Sequence, residues 1–291
     1  MIYDIRQVTT YDYAALVTHA RHSLRLLPAL REGQRVHAAA LDIEPKPARQ
    51  SEITDFFGNQ TLFIELAEPH AHLRMQLAAR VAIAPPEWLD PETTAAWEIV
   101  RDQAFGTDDL CHNSPVHFLY PSRNVTLDPE IRDYARLSFF PDRPVLGAAV
   151  DFMHRIKADF TYEIGATNVM TTPAMSFALR RGVCQDFAHI MISGLRGLGI
   201  PAAYVSGYLR TIQRPGSRRL EGADAMHAWV LVWCGEHGWH GVDPTNDLIV
   251  SSDHIVLAIG RDYADVAPID GVVISSGGQK LAVSVDVNPV E

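Results

Sequence analysis

Residues 181 to 201 decide how the chain is read. They run Arg181-Gly182-Val183-Cys184-Gln185-Asp186-Phe187-Ala188-His189, then Ile190-Met191-Ile192-Ser193-Gly194-Leu195-Arg196-Gly197-Leu198-Gly199-Ile200-Pro201. Apolar residues at 184, 187, 188, 191 and 195 recur at spacings of three and four, which predicts a helix with one face aimed at a core. Gly199 and Pro201 supply its stop. Cys184 therefore stands in the first turn, where the positive end of the helix dipole and unpaired N–H groups favour a thiolate. Its own N–H is placed to meet the oxyanion that forms when the sulfur attacks a carbonyl. A small buried hydrophobe would fit the same position, so the thiol needs partners before it counts as a nucleophile. Asp186, also in the first turn, is explained by the helix dipole alone.

A base must lie within hydrogen-bond reach of the nucleophile. His189 is five residues on, and at about 100° per residue it leaves the Cys184 face. His227 opens the run His227-Ala228-Trp229-Val230-Leu231-Val232-Trp233, whose alternation predicts a strand with His227, Trp229 and Leu231 on one face. Gly235-Glu236-His237-Gly238 offers hairpin chemistry, and Trp239-His240-Gly241-Val242-Asp243 is a return strand stopped by Pro244. An antiparallel return brings Asp243 back toward His227, where a carboxylate can fix the imidazole tautomer and stabilise its charged form. Cys184, His227 and Asp243 are the expected catalytic residues.

Outward from these segments the pattern changes twice. Upstream, Asp90-Pro91-Glu92 and Asp128-Pro129-Glu130 read as helix starts, and residues 143–160 carry an amphipathic stripe of Val145, Leu146, Val150, Met153 and Ile156. Downstream, alternation over 203–209, 228–234, 239–242, 255–259, 271–275 and 281–287 predicts strands. Helices first and strands after imply an α+β core, not a parallel βαβ sheet. From residue 1 to 84 the alternation is again of strand type, with 16–26, 36–45, 61–66 and 73–83 as strands. Asp55-Phe56-Phe57-Gly58-Asn59 forms a tight turn between two of them. This stretch reads as a small antiparallel β sandwich ending at Ala84-Pro85-Pro86. The expected organisation is a β-rich domain over 1–84 and a catalytic core over 85–291.

Composition bounds the function. A chain of 291 residues is long for one core. Its apolar runs fall short of the ~18–20 residues of a membrane helix, and no basic stretch followed by an apolar one opens it. Cys111, Cys184 and Cys234 are three thiols that cannot all pair, which suggests a reducing, cytoplasmic setting. A net charge of −10 argues against a nucleic-acid partner, and no membrane partner is expected. Cys234, His237 and His240, with His254 beyond, have metal-like spacing, but a hairpin turn explains the cluster. There is no acidic calcium loop, so neither metal nor cofactor is expected. Arg214-Pro215-Gly216-Ser217-Arg218-Arg219 is read as a solvated turn rather than a loop for an anionic partner.

The motifs at 182–189, 227–229 and 239–246 resemble the core of bacterial transglutaminase-like proteins, a group also labelled as cysteine proteases. Residues 196–208 and 260–268 resemble the segments after the nucleophile helix and after the acid, and the region with Asp55 to Asn59 resembles the β domain that precedes this core. Nearly the whole chain is covered. The resemblance implies a papain-like core, with a nucleophile helix packed on an antiparallel sheet carrying His227 and Asp243. It implies cysteine-dependent chemistry on a peptide, protein or glutaminyl amide through a thioester. Hydrolysis is placed ahead of transfer, and an amine is the alternative acyl acceptor. A non-catalytic relative that binds peptides is the competing expectation. Where the family commonly has Ser or Thr before the histidine, this chain has Met226. Tyr162 stands where such proteins can place an aromatic second oxyanion donor, and a core tyrosine fits that position equally well.

Overall fold

The computed structural model describes residues 1–210 and 225–290, so the arginine-bearing turn at 214–219 lies outside the described residues. The chain begins with strands β1 (Ile2–Val17), β2 (His19–Leu24), β3 (Gln34–Glu44), β4 (Arg49–Thr54), β5 (Gln60–Leu66) and β6 (His70–Ile83). The strand expected over 16–26 breaks at Thr18, and its two halves enter different sheets. That break lets Tyr13 and Val17 face Ala20 and Leu24 across one apolar core, which a single straight strand could not do.

The middle of the chain is helical. Asp90 caps only a 3₁₀ turn, Pro91–Thr93, and the helix proper, α1 (Trp97–Phe105), starts later. Asp128 does cap α2 (Pro129–Arg136), its Oδ1 accepting the Glu130 and Ile131 N–H groups at 2.9 and 3.1 Å. The amphipathic stripe becomes α3 (Val145–Asp159). Strand β7 (Thr161–Tyr162) then pairs in parallel with β8 (Arg181–Gly182), across the intervening helix α4 (Pro173–Leu179). Directly after β8 comes α5 (Cys184–Gly197), the helix expected from the opening motif. The sequence predicts one buried face, but every residue from Asp186 to Arg196 is buried. The reason is that α5 runs through the centre of the core, with helices on one side and a sheet on the other. At Gly194 a Cβ would stand 2.8 Å from the Phe152 ring and 2.9 Å from Ala135 Cβ, so glycine is what admits the neighbouring helices.

The covering sheet is antiparallel. It comprises β9 (Ala202–Leu209), β10 (Ala225–Trp233), β11 (Trp239–Asp243), β12 (Leu248–Ile249) and β13 (His254–Gly260), in the order β12-β11-β10-β9-β13. The expected antiparallel β10–β11 hairpin forms, with Val230 opposite Val242 and Trp233 opposite Trp239, and with Gly235 and Gly238 at positive φ in its turn. After a short α6 (Tyr263–Val266) the chain leaves the core. Strands β14 (Ile269–Ile274) and β15 (Gln279–Val290), which the reading from sequence assigned to the core, pair with β2 and β1 instead. The sandwich is therefore built from both ends of the chain, in sheets β15-β1-β6-β3 and β14-β2-β5-β4. Tyr3, Ile5, Val81 and Val287 of its first sheet pack on Tyr208, Ile255 and Leu257 of the core sheet, joining the two units through an apolar contact.

Candidate active site

Three chain segments converge where α5 begins. Cys184 is its first residue and is partly exposed, so its backbone N–H has no acceptor within the helix. Asp186, two residues on, is buried and ties the helix start together. Its Oδ2 accepts the Val183 N–H at 2.8 Å and the Thr167 hydroxyl at 2.6 Å, and burial raises its pKa. Gly182 makes room for that carboxylate, because a Cβ there would stand 2.6 Å from Oδ2. The aspartate read only as a complement to the helix dipole is thus a cap that also anchors the loop after β7.

His227 lies near the start of β10 with its side chain 8% exposed, and its Nε2 is 2.8 Å from Asp243 Oδ2. Burial by itself would lower the pKa of this imidazole. Hydrogen bonds to Asp243 and to Cys184 outweigh it and bring the value up to about 9. With Nε2 turned to the carboxylate, Nδ1 is the nitrogen left for Cys184. The hairpin expected from sequence therefore brings Asp243 to His227, and the start of α5 brings the Cys184 thiol to the same ring.

Asp243 is wholly buried, and five donors meet it. Oδ1 accepts the Thr245 and Asn246 backbone N–H groups at 2.9 and 3.2 Å. Oδ2 takes Asn246 Nδ2 at 2.9 Å, His227 Nε2 at 2.8 Å and, at a longer 3.4 Å, His254 Nε2. Burial opposes the charge on this carboxylate, but the bonds from His227, His254 and Asn246 hold it well below the usual carboxylate range. Asn246 and His254 are absent from the expected site. Asn246 had a signal, since it closes the Asp243-Pro244-Thr245-Asn246 turn, whose Asx bond runs from the Thr245 N–H to Asp243. His254 comes from the far edge strand, and no local pattern points to it. It faces Asp243 and not the hairpin tip, where His240 Nε2 donates to the His237 carbonyl at 3.0 Å. His189, set aside as a base, accepts the Tyr263 N–H at 3.2 Å and packs against the Tyr204 ring at a tilt of 44°. Burial lowers its pKa to about 4.

Tyr162 is half exposed and lines a cleft of about 250 Å³ together with Met226, His227, Thr245 and Asn246. Burial and the nearby Cys184 raise its pKa. Its parallel pairing with Gly182 keeps it beside the start of α5. Lys157, which also lines the cleft, donates to the Thr245 carbonyl at 2.8 Å, and His154 hydrogen-bonds Asp247, so α3 clamps the loop that follows Asp243. A larger hollow, about 640 Å³ on the outer face of the second sandwich sheet, is lined by residues such as Arg21, Arg49 and Phe63 and by none of these groups. The imidazole whose pKa is raised by Asp243 and Cys184 lines the smaller cleft, which makes that cleft the candidate site.

This arrangement can be set beside known proteins. Residues 3–82 match the bacterial transglutaminase-like N-terminal region, and residues 140–244 match the transglutaminase-like superfamily. An uncharacterized protein of Mycobacterium tuberculosis is 37% identical over 297 residues, covering 99% of this chain and 93% of its own length. A protein-glutamine gamma-glutamyltransferase of Pseudomonas aeruginosa is 38% identical over 87 residues, 30% of this chain and 13% of that protein. The crystal structure of a Cytophaga hutchinsonii protein, provisionally named a cysteine protease, superposes with a TM-score of 0.78 over 100% of this chain and 92% of that one. The two are 22% identical, so this likeness speaks to the fold. Both family matches, a relative aligned over almost the full length and a core with the expected papain-like arrangement agree, and the chain belongs to the transglutaminase-like superfamily, in its bacterial form with the β-rich N-terminal region.

Proposed function

We propose that the protein is a cysteine-dependent enzyme acting on amides, with Cys184 as nucleophile, His227 as general base and acid, and Asp243 as the group that orients His227. The observation that carries this reading is the placement of His227. It lies between a buried Asp243 at 2.8 Å and the Cys184 thiol at a helix start, and its pKa is about 9. A histidine that keeps its proton to that pH can hold the cysteine as a thiolate–imidazolium pair.

In the first step the Cys184 sulfur attacks the carbonyl carbon of a carboxamide or peptide bond. The oxyanion takes a hydrogen bond from the Cys184 N–H, with Tyr162 as the second donor. As the C–N bond breaks, His227 gives its proton to the departing amine or ammonia, leaving a thioester on Cys184. Water or an amine then attacks the thioester carbon and gives a proton to His227, and the S–C bond breaks to return the thiolate. Water yields the carboxylic acid and an amine yields a new amide. We place hydrolysis ahead of transfer, and peptide or protein glutaminyl amides ahead of other substrates.

The test is a panel of peptide amides incubated with and without a primary amine, with Cys184→Ala alongside. Release of carboxylate at a rate indifferent to the amine supports a hydrolase; incorporation of the amine supports a transferase. If wild type and Cys184→Ala behave alike on every substrate, and Cys184 alkylates no faster than an ordinary thiol, the enzyme assignment fails and a peptide-binding role takes its place.

A further inference from the structure

Asp243 Oδ2 receives a histidine from each side. His227 is the expected one. His254, at the start of β13, has its side chain 1% exposed and its Nε2 3.4 Å from the same oxygen. The Ser251 N–H donates to His254 Nδ1 at 3.3 Å, so the ring proton sits on Nε2 and is directed at the carboxylate. The Trp229 ring, fully buried, meets the His254 ring edge-on at 5.1 Å and separates it from solvent. The residue before it is held from the sandwich: Tyr3 of β1 donates its hydroxyl to Asp253 Oδ1 at 2.7 Å, and Arg210 pairs with the same oxygen at 3.2 Å.

We propose that His254 is a positioning residue that acts through Asp243 to set how strongly His227 holds its proton, and that Tyr3 makes the β sandwich part of this arrangement. Two effects could follow from a second histidine on one carboxylate, and the donor count decides between them. Asp243 is already oriented by Thr245 N, Asn246 N and Asn246 Nδ2, so His254 adds little to its orientation. What it does add is a donor that competes with His227 for the charge on Oδ2. Inside a buried site that competition is felt strongly. It weakens the His227–Asp243 bond, so the imidazolium releases its proton more readily to a leaving amine. The consequence for turnover rests on the proposed function; the effect on His227 does not.

The experiment is a titration of the His227 ring followed by nitrogen NMR on histidine-labelled protein, in wild type, His254→Asn and His254→Gln. An asparagine amide keeps an acceptor for the Ser251 N–H but is too short to reach Oδ2, whereas a glutamine amide places a donor near the native Nε2. The expected result is a His227 midpoint raised by about half a unit to one unit in His254→Asn and returned close to wild type in His254→Gln. Tyr3→Phe is expected to move it in the same direction by less. A midpoint that is unchanged or lowered in His254→Asn overturns the proposal, as does a rise that glutamine fails to reverse. If His254→Asn does not fold, the Tyr3→Phe midpoint decides by the same criterion, an unchanged or lowered value overturning the proposal. Cys184 alkylation in the same samples reports separately on the enzyme assignment. An inert Cys184 with a His227 that responds as stated refutes the function and leaves this tuning intact.

Discussion

Replacing Asp243 by asparagine removes one charge and almost no volume, which isolates what the carboxylate does for His227. Five donors converge on it in the native protein. An amide has one acceptor oxygen and a donating NH₂. If the oxygen keeps the two backbone N–H groups, the NH₂ faces His227 Nε2, which can accept only by moving its single proton to Nδ1. The proton then points at Cys184, and the imidazole can no longer take the thiol's own. The loss of charge acts in the same direction. His227 stands at about 9 against an ordinary 6.5, a difference of about 2.5 units or about 3 kcal/mol of preference for the charged ring. Burial pulls that value down, and Asp243 leads the groups that hold it up, so Asp243→Asn should bring it below 6.5. At pH 7.5 the imidazolium fraction then falls from about 97% to below about 10%. Combined with the reversed tautomer, turnover should drop by roughly 10³–10⁴. The assay is carbamidomethylation of each cysteine by mass spectrometry across about pH 5–10, a range that brackets the unperturbed thiol. Exposed Cys111, whose thiol is made less acidic by its bond to Asp109, is the internal reference. Wild-type Cys184 should label faster than Cys111 near neutral pH, and in Asp243→Asn the excess should shrink at least tenfold. A folded Asp243→Asn protein with an unchanged Cys184 profile would refute the role given to the carboxylate.

Cys184→Ala should abolish turnover, while Cys111→Ala and Cys234→Ala leave it near wild type; loss of activity from either of the latter in a folded protein moves the nucleophile elsewhere. Gly207→Ala would place a Cβ 2.1 Å from the Ile255 carbonyl oxygen and 2.5 Å from the Trp229 ring, and should cost roughly 3 kcal/mol or more in chemical unfolding; an unchanged midpoint would show that β9 and β13 can part without penalty. His227 should also write a signature on stability. Its folded-state value lies above its ordinary one, so its contribution, up to about 3 kcal/mol, is complete below about pH 6.5 and is lost as pH rises through about 9. Urea midpoints should fall over that window in wild type and flatten in Asp243→Asn, and equal slopes in the two proteins would contradict this.

The legible parts of the site were those encoded by near neighbours. Cys184 could be placed because helix periodicity and its stop signals lie within some twenty residues. His227 and Asp243 could be joined because a hairpin turn fixes the register of two adjacent strands. His254 could not be found this way: it reaches Asp243 from β13, which lies three positions from β11 in the sheet order. The return of β14 and β15 to the sandwich was hidden for the same reason. Their alternation is that of any half-buried strand, and pairing of Ile2 with Val290 spans the whole chain. The Asp186 cap was visible as an acid in a first turn, but not its second bond to Thr167, which depends on how the loop after β7 folds back.

The two halves of the site are held in different ways, and this separates the tests for them. The acid side is closed: Asp243 is buried under five donors, and its loop is clamped from α3 through Lys157 and His154. The thiol side is open: Cys184 is partly exposed, Tyr162 is half exposed, and Ile164, two residues on, is 83% exposed. Tyr162 is therefore free to serve a transient group without perturbing the resting pair. Alkylation of a thiolate forms no oxyanion, whereas attack on an amide does. Tyr162→Phe should accordingly leave Cys184 labelling and the His227 titration unchanged while lowering turnover of an amide by about 10²-fold, the usual effect of losing one oxyanion donor. Equal loss in both assays would mean that Tyr162 only shapes the cleft, and no loss in either would assign the second donor to another group at the start of α5.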